Sequence, residues 1–221
     1  MSVVPFRHPP RQARSRASER RLVAAARALL AERDWDEITV ADLTSRAGLA
    51  VGAFYARFAS KESLFRHLEC LIFAASRGNV ARLAAMADAG APPLALVRAL
   101  VEGHVRLYRE YPEIGRAVVG RSRSDAEARE RLRELSRESY AVVAGALERA
   151  GVARGADDAR LRLEFALYAE RSVLREAVLF GEGWGKERRW SDRRLVEETV
   201  RLVARHLDLE PPALPSSAAA E

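Results

Sequence analysis

The residues whose types and spacing suggest a chemical task lie between positions 50 and 61. Phe54 and Phe58 stand four apart, so on a helix they share one side, and with Leu43 and Leu49 they close a small core. That leaves Val51, Gly52, Ala53, Tyr55, Ala56 and Arg57 facing outward. Gly52 is the informative member. A glycine in a short helix costs about 1 kcal/mol against alanine, and close approach of a partner to the backbone explains it best. Of the outward set only Tyr55 and Arg57 can donate a hydrogen bond. Lys61 follows at the start of the next helix, where backbone N–H groups and the helix dipole also favour an anion. The chemistry is recognition of a surface rather than the making of bonds.

Elsewhere the reactive side chains are scattered. His8, His67, His104 and His206 show no metal-ligand spacing, so no metal is expected. Ser122 and Ser124 lack the glycines of a nucleophile elbow, and Glu197-Glu198 falls on a solvated helix face. Cys70 is the single cysteine, which excludes an intramolecular disulfide and a multi-cysteine zinc site. No convergent polar constellation points to catalysis, and no cofactor is expected. Trp184 and Trp190 flank a charged stretch; two roles fit, a loop held over the body by two indoles, or a lid or partner contact.

The elements that must position these residues are helical. Periodicity of 3.6 accounts for nearly everything after residue 15, and no alternating β-branched run appears, so the fold class is all-α with about nine helices. A first helix, about Ser18 to Arg33, gathers Leu22, Ala25, Ala26, Leu29 and Leu30 on one face. Thr39, followed three residues later by Asp42, reads as a capping box for a two-turn helix that runs into Gly48. Ala50 to Phe58 is the third, and Ser60 caps a long fourth reaching toward Ala87. The second and third, joined by a tight glycine-containing turn, make a helix-turn-helix. Read on that motif, the outward face of the third helix is a DNA-reading face. With Val51, Ala53 and Ala56 offering no hydrogen bonds, base readout leans on thymine methyl contact and one Arg.

The run Thr39-Val40-Ala41-Asp42-Leu43, Arg46-Ala47-Gly48-Leu49, Gly52-Ala53-Phe54-Tyr55, Phe58 and Ser60 through Phe65 resembles the amino-terminal domain of the TetR family of bacterial transcriptional regulators. The resemblance is ungapped over about 50 residues, and the rest is similar to the family in length and helix count without carrying a motif. It implies phosphate contacts for Thr39, Tyr55 and Lys61. It also implies a dimer on a double-stranded operator, a small-molecule effector and, as the usual mode, repression. Two departures stand out: Ala50 occupies the position of a Ser or Thr cap, and Ala56-Arg57 that of a bulky residue and a histidine.

Charge supports the same reading. Of a net +6, all of it lies in residues 1–33, which hold eight Arg and two acids; the other 188 residues balance to zero. A basic end on a neutral body is an electrostatic footprint for nucleic acid, or else a solubilising tail. The longest run without a charged residue is ten, too short to span a bilayer, and the amino terminus lacks a secretory apolar core; a cytoplasmic protein with no membrane partner is expected. The expected organisation is a basic flexible arm over 1–17, a helix-turn-helix domain over 18–66, a larger ligand-binding and dimerisation domain over 67–208, and a disordered tail over 209–221.

Within the larger domain, Val97, Val101, His104, Tyr108 and Tyr111 share a stripe, so polar tips point where an apolar core is expected. Two readings fit: internally hydrogen-bonded core residues, or a pocket. The pocket reading brings in Leu68, Leu71 and Ile72 from the fourth helix, Ser139 and Val143 from the seventh and Tyr168 and Arg171 from the eighth, around a mainly apolar effector. The last two long helices are apolar on two sides: Leu161, Phe165, Tyr168 and Ser172 against Leu163, Leu167, Leu174 and Val178 in one, and Leu195, Thr199 and Leu202 against Val196, Val200 and Val203 in the other. Helices of that kind need both a core and a second chain.

Overall fold

A computed structural model describes residues 13–152, 157–181 and 190–209. Among them are nine α-helices, one 3-10 turn and no strand, so the all-α reading holds. In chain order the helices are α1 (Ala13–Leu30), α2 (Val40–Ala47), α3 (Val51–Tyr55), α4 (Lys61–Asp88), α5 (Pro93–Glu110), α6 (Pro112–Ser124), α7 (Ala126–Arg149), α8 (Asp157–Leu179) and α9 (Asp192–His206). The 3-10 turn, Trp35–Glu37, lies between α1 and α2.

The chain divides into two compact units, one of residues up to 74 together with 111–132, the other of 75–110 together with 133 onward. This differs from the boundary expected at 66/67. α6 packs on α1, through Arg27, whose guanidinium pairs with the buried Glu113 and lies 5.2 Å from the Tyr111 ring centre. Sequence periodicity marks the buried face of α6 but not which neighbour covers it. α1 also starts earlier than expected. Arg and Ala are strong helix formers, so residues 13–17, assigned to the flexible arm, already belong to the helix. The rest of that arm, Trp184 and the tail from 210 lie outside the described residues.

The first unit is built on Leu22, Ala26, Leu29, Ile38, Leu43, Phe54, Phe58, Leu64, Phe65 and Leu68, all nearly or fully buried. Its joints are specific. Thr39 caps α2 in a reciprocal box with Asp42, and Gly48 ends that helix in the left-handed region at φ 60°, where a side chain is strained. Ser60 and Ser63 exchange backbone-to-hydroxyl bonds of 3.0 and 3.1 Å across the start of α4. Arg131 is bidentate to the buried Glu69 at 3.1 Å, tying the start of α7 to α4. Burial pushes the Glu69 carboxyl up against the opposing pull of Arg131 and Arg66.

In the second unit α5, α8 and α9 pack on one another. The two-sided character of α8 is plain: Leu163, Leu167, Leu174 and Val178 are buried, whereas Leu161, Phe165 and Tyr168 are exposed at 64%, 59% and 71%. In α9, Leu195, Val196, Thr199, Val200 and Val203 are buried while Leu202 is exposed. No helix among the described residues is long and apolar enough to cross a membrane.

Candidate nucleic-acid interface and ligand-facing residues

α3 is five residues long, too short to persist alone, and it is held by Phe54, fully buried, with Phe58 just beyond it. The two rings lie 5.8 Å apart, and Tyr55 meets Phe54 edge-on at 5.3 Å. With that side fixed, Val51, Gly52, Tyr55 and Ala56 are exposed and Ala53 and Arg57 half-exposed. The outward face is the one expected. Ala50, at the cap, makes no side-chain bond to the helix, as its lack of a hydroxyl requires.

Gly52 has no intramolecular reason to be glycine. Its backbone is helical, and a Cβ built there would meet no other atom within 4 Å. The contrast is Gly48, whose positive φ calls for glycine, the nearest atom to a Cβ there being the movable end of Arg21 at 2.7 Å.

The polar groups around this face are largely engaged within the unit. Thr39 Oγ1 donates to Asp42 Oδ2 at 2.7 Å and accepts from the Asp42 amide at 3.1 Å. The Thr39 backbone and hydroxyl, with the Arg33 guanidinium 3.1 Å away, hold the Asp42 carboxyl down at about 2. Lys61 is engaged in the same way. Its Nζ donates to the carbonyls of Trp35, Asp36 and Ile38 at 2.9, 3.3 and 2.7 Å and stands 5.3 Å from the Trp35 ring centre. An ammonium has three donors, so Lys61 closes the 3-10 turn rather than presenting a free cation. Arg57 Nη1 donates to the Ala56 carbonyl at 2.6 Å.

Three contacts here escaped the sequence reading: the Lys61 clamp, the Arg21 Nη2 bond to the Gly48 carbonyl at 2.8 Å, and a bidentate Arg46–Glu32 pair at 2.8 and 2.9 Å. Gly48 signals a left-handed cap in the sequence; no local signal announces the arginine that sits on it. Exposed Arg16 and Arg20 add positive charge on α1.

The residues expected to line a ligand pocket divide between the units. Leu68 and Ile72 are core residues of the first, where Tyr111, beyond the end of α5, caps α6 beneath Arg27 instead of continuing the α5 stripe. In the second, His104, Tyr108, Ser139 and Val143 are buried and Arg171 is half-buried. Tyr168 does not join them. It lies 71% exposed in the outer row of α8, because a step of 100° per residue aligns it with Leu161 and Phe165.

His104 Nδ1 is 2.8 and 3.1 Å from the two carboxylate oxygens of Glu170, and its ring stacks on Tyr108 with centres 6.1 Å apart. Burial pushes the Tyr108 phenol up to about 12, with Arg171 pulling the other way. Glu170 is the partner that the sequence reading missed, since 66 residues separate it from His104. The second unit also has a groove of about 560 Å³ between α5 and α9, with Arg98, Glu102, Arg109, Asp192 and Glu197 around Val105 and Val196. None of the expected ligand residues lines it, and Arg109 and Asp192 pair across it at 2.8 Å.

Residues 22–68 match the family described as bacterial regulatory proteins, tetR family. No curated protein matches the chain. Solved structures of the same fold include PfmR of Thermus thermophilus, a TetR family transcriptional regulator, at 22% identity and a TM-score of 0.57 over 86% of this chain and 98% of that one. The fatty acid degradation regulator FadR from Bacillus halodurans aligns at 17% identity and a TM-score of 0.64, over 84% and 94% of the two chains. FadR from Bacillus subtilis, solved in complex with stearoyl-CoA, aligns at 16% and 0.62 over 85% and 97%. The segment from the buried face of α1 through the helix-turn-helix to the start of α4 carries that family's sequence, and the chain as a whole shares its fold with these TetR family structures.

Proposed function

We propose that the protein is a dimeric repressor that binds a palindromic operator through the outward face of α3 and releases it when a small, mainly apolar effector binds the second unit. One observation carries the DNA contact: Gly52 lies at the centre of an exposed helix face, helical and with open space at its Cβ, so an external partner accounts for the missing side chain. Tyr55, half-exposed beside it, is the phosphate contact, Thr39 adds its backbone edge, and the basic residues ahead of α1 extend the contact along the duplex. The protein acts in the cytoplasm, where bacterial DNA lies.

The second chain is supported by the row Leu161, Phe165 and Tyr168 on α8 with Leu202 on α9, large apolar side chains that the protomer leaves in water. A two-fold axis through that row presents two copies of α3, and the half-sites are spaced about 34 Å or a small multiple apart. For the effector, the buried His104, Tyr108 and Ser139 with Val143 and half-buried Arg171 offer polar fixtures among apolar helices. The acyl chain of stearoyl-CoA, the molecule in complex with FadR from Bacillus subtilis, has the apolar character required.

Selection of bound sequences from random duplex DNA by the purified chain tests the reading. An enriched motif with two-fold symmetry is expected. Enrichment of a single asymmetric site would overturn the dimeric operator, and no enrichment would overturn the function.

A further inference from the structure

The outward face of α3 is ordered by size. Positions 52 and 56, four apart, form its central row and hold Gly and Ala; positions 51 and 55 flank it with Val and Tyr, and 53 and 57 flank the other side with Ala and Arg. The smallest side chains therefore stand where the helix axis comes nearest a partner. Apart from the Tyr55 hydroxyl, the central row and the Val51 flank carry no side-chain hydrogen-bonding group. The long polar side chains nearby hold partners of their own: Arg57 on the Ala56 carbonyl, Arg46 on Glu32, Arg21 on the Gly48 carbonyl and Lys61 on the 3-10 turn.

A major-groove edge offers donors, acceptors and one apolar feature, the C5 methyl of thymine. From a face of this composition we infer that sequence is read through C5 methyl groups, with Val51 and the Ala53 and Ala56 methyls as the specificity-determining contacts and Gly52 and Ala56 allowing the helix to sit deep enough to reach them. The inference rests on the DNA-binding reading above. It makes the preferred base "a pyrimidine bearing a C5 methyl" rather than "thymine", so 5-methylcytosine substitutes where cytosine does not.

The test uses the full chain and the duplex recovered by selection. Each thymine of one half-site is replaced in turn by uracil, which removes the methyl and leaves every hydrogen-bonding group in place. At one or two positions affinity should fall about fourfold, the loss expected for one methyl returned to water. Cytosine at those positions should weaken binding and 5-methylcytosine should recover part of the loss. Val51→Ala, at a residue 48% exposed and outside the core, should fold normally and flatten the thymine-to-uracil ratio at one position. Uracil tolerated at every position, or a uracil penalty abolished by Arg57→Ala and untouched by Val51→Ala, would overturn methyl readout while leaving DNA binding standing. Failure to recover any duplex would instead remove the reading on which it rests.

Discussion

The ammonium of Lys61 lies 2.9 Å from the Trp35 carbonyl and 5.3 Å from the centre of the same residue's indole, so one side chain fastens the 3-10 turn to the first turn of α4. This placement makes Lys61 a structural residue of the domain that carries α3. Lys61→Met removes a charged donor from three carbonyls and should lower stability by about 1–3 kcal/mol in denaturant unfolding, with Lys61→Arg restoring part of it. A Lys61→Met protein of unchanged stability with a reduced salt dependence of DNA binding would return the residue to the phosphate backbone.

Gly52→Ala separates folding from function. Because the Cβ meets open space, the change should raise stability by up to about 1 kcal/mol, and because the proposed function sets this row against the groove, it should weaken operator binding at least tenfold. Melting curves and binding isotherms on the same preparation decide the matter. Undiminished binding would show that no partner approaches this backbone closely.

The capping box gives a pH dependence with a definite sign. The Asp42 carboxyl sits at about 2 against an ordinary 3.8, so it stays ionised in the folded chain at a pH where the unfolded chain has taken up its proton. Its contribution is complete above about pH 4 and is lost as pH falls toward 2. The difference in Tm between the wild-type protein and Asp42→Asn should therefore shrink over that window. A difference independent of pH would show that the cap does not depend on the charge.

Phe165→Glu and Tyr168→Glu place charges on the exposed row of α8 and should yield monomers in sedimentation at micromolar concentration with little change in Tm. Dimers that survive both changes would put the second chain on another face.

The first unit was largely legible in the sequence because its signals are local. The Thr39–Asp42 box, the left-handed Gly48 and the Phe54–Phe58 pair each involve residues within four positions, and each appears as read. What was not legible depends on partners far along the chain. Lys61 reaches carbonyls 23 to 26 residues away, and His104 pairs with Glu170 at a separation of 66. Periodicity divides α8 into two apolar rows but does not say which one the protomer keeps, and that is why Tyr168 was assigned both to a pocket and to an outer face. The start of α1 was missed for a different reason: its Arg-rich first turn has helix propensity but no apolar stripe to mark it.

Finally, the chain passes between its two units at residues 74/75, 110/111 and 132/133, and the first and third of these lie inside α4 and α7. Recombination with a relative is constrained accordingly. A graft that moves only residues 1–66 leaves behind Glu113, the ion-pair partner of Arg27, and cuts α4 ahead of Glu69. A viable chimera would carry 111–132 along with the amino-terminal segment, so in this protein DNA specificity is inherited as a discontinuous block and not as a detachable head.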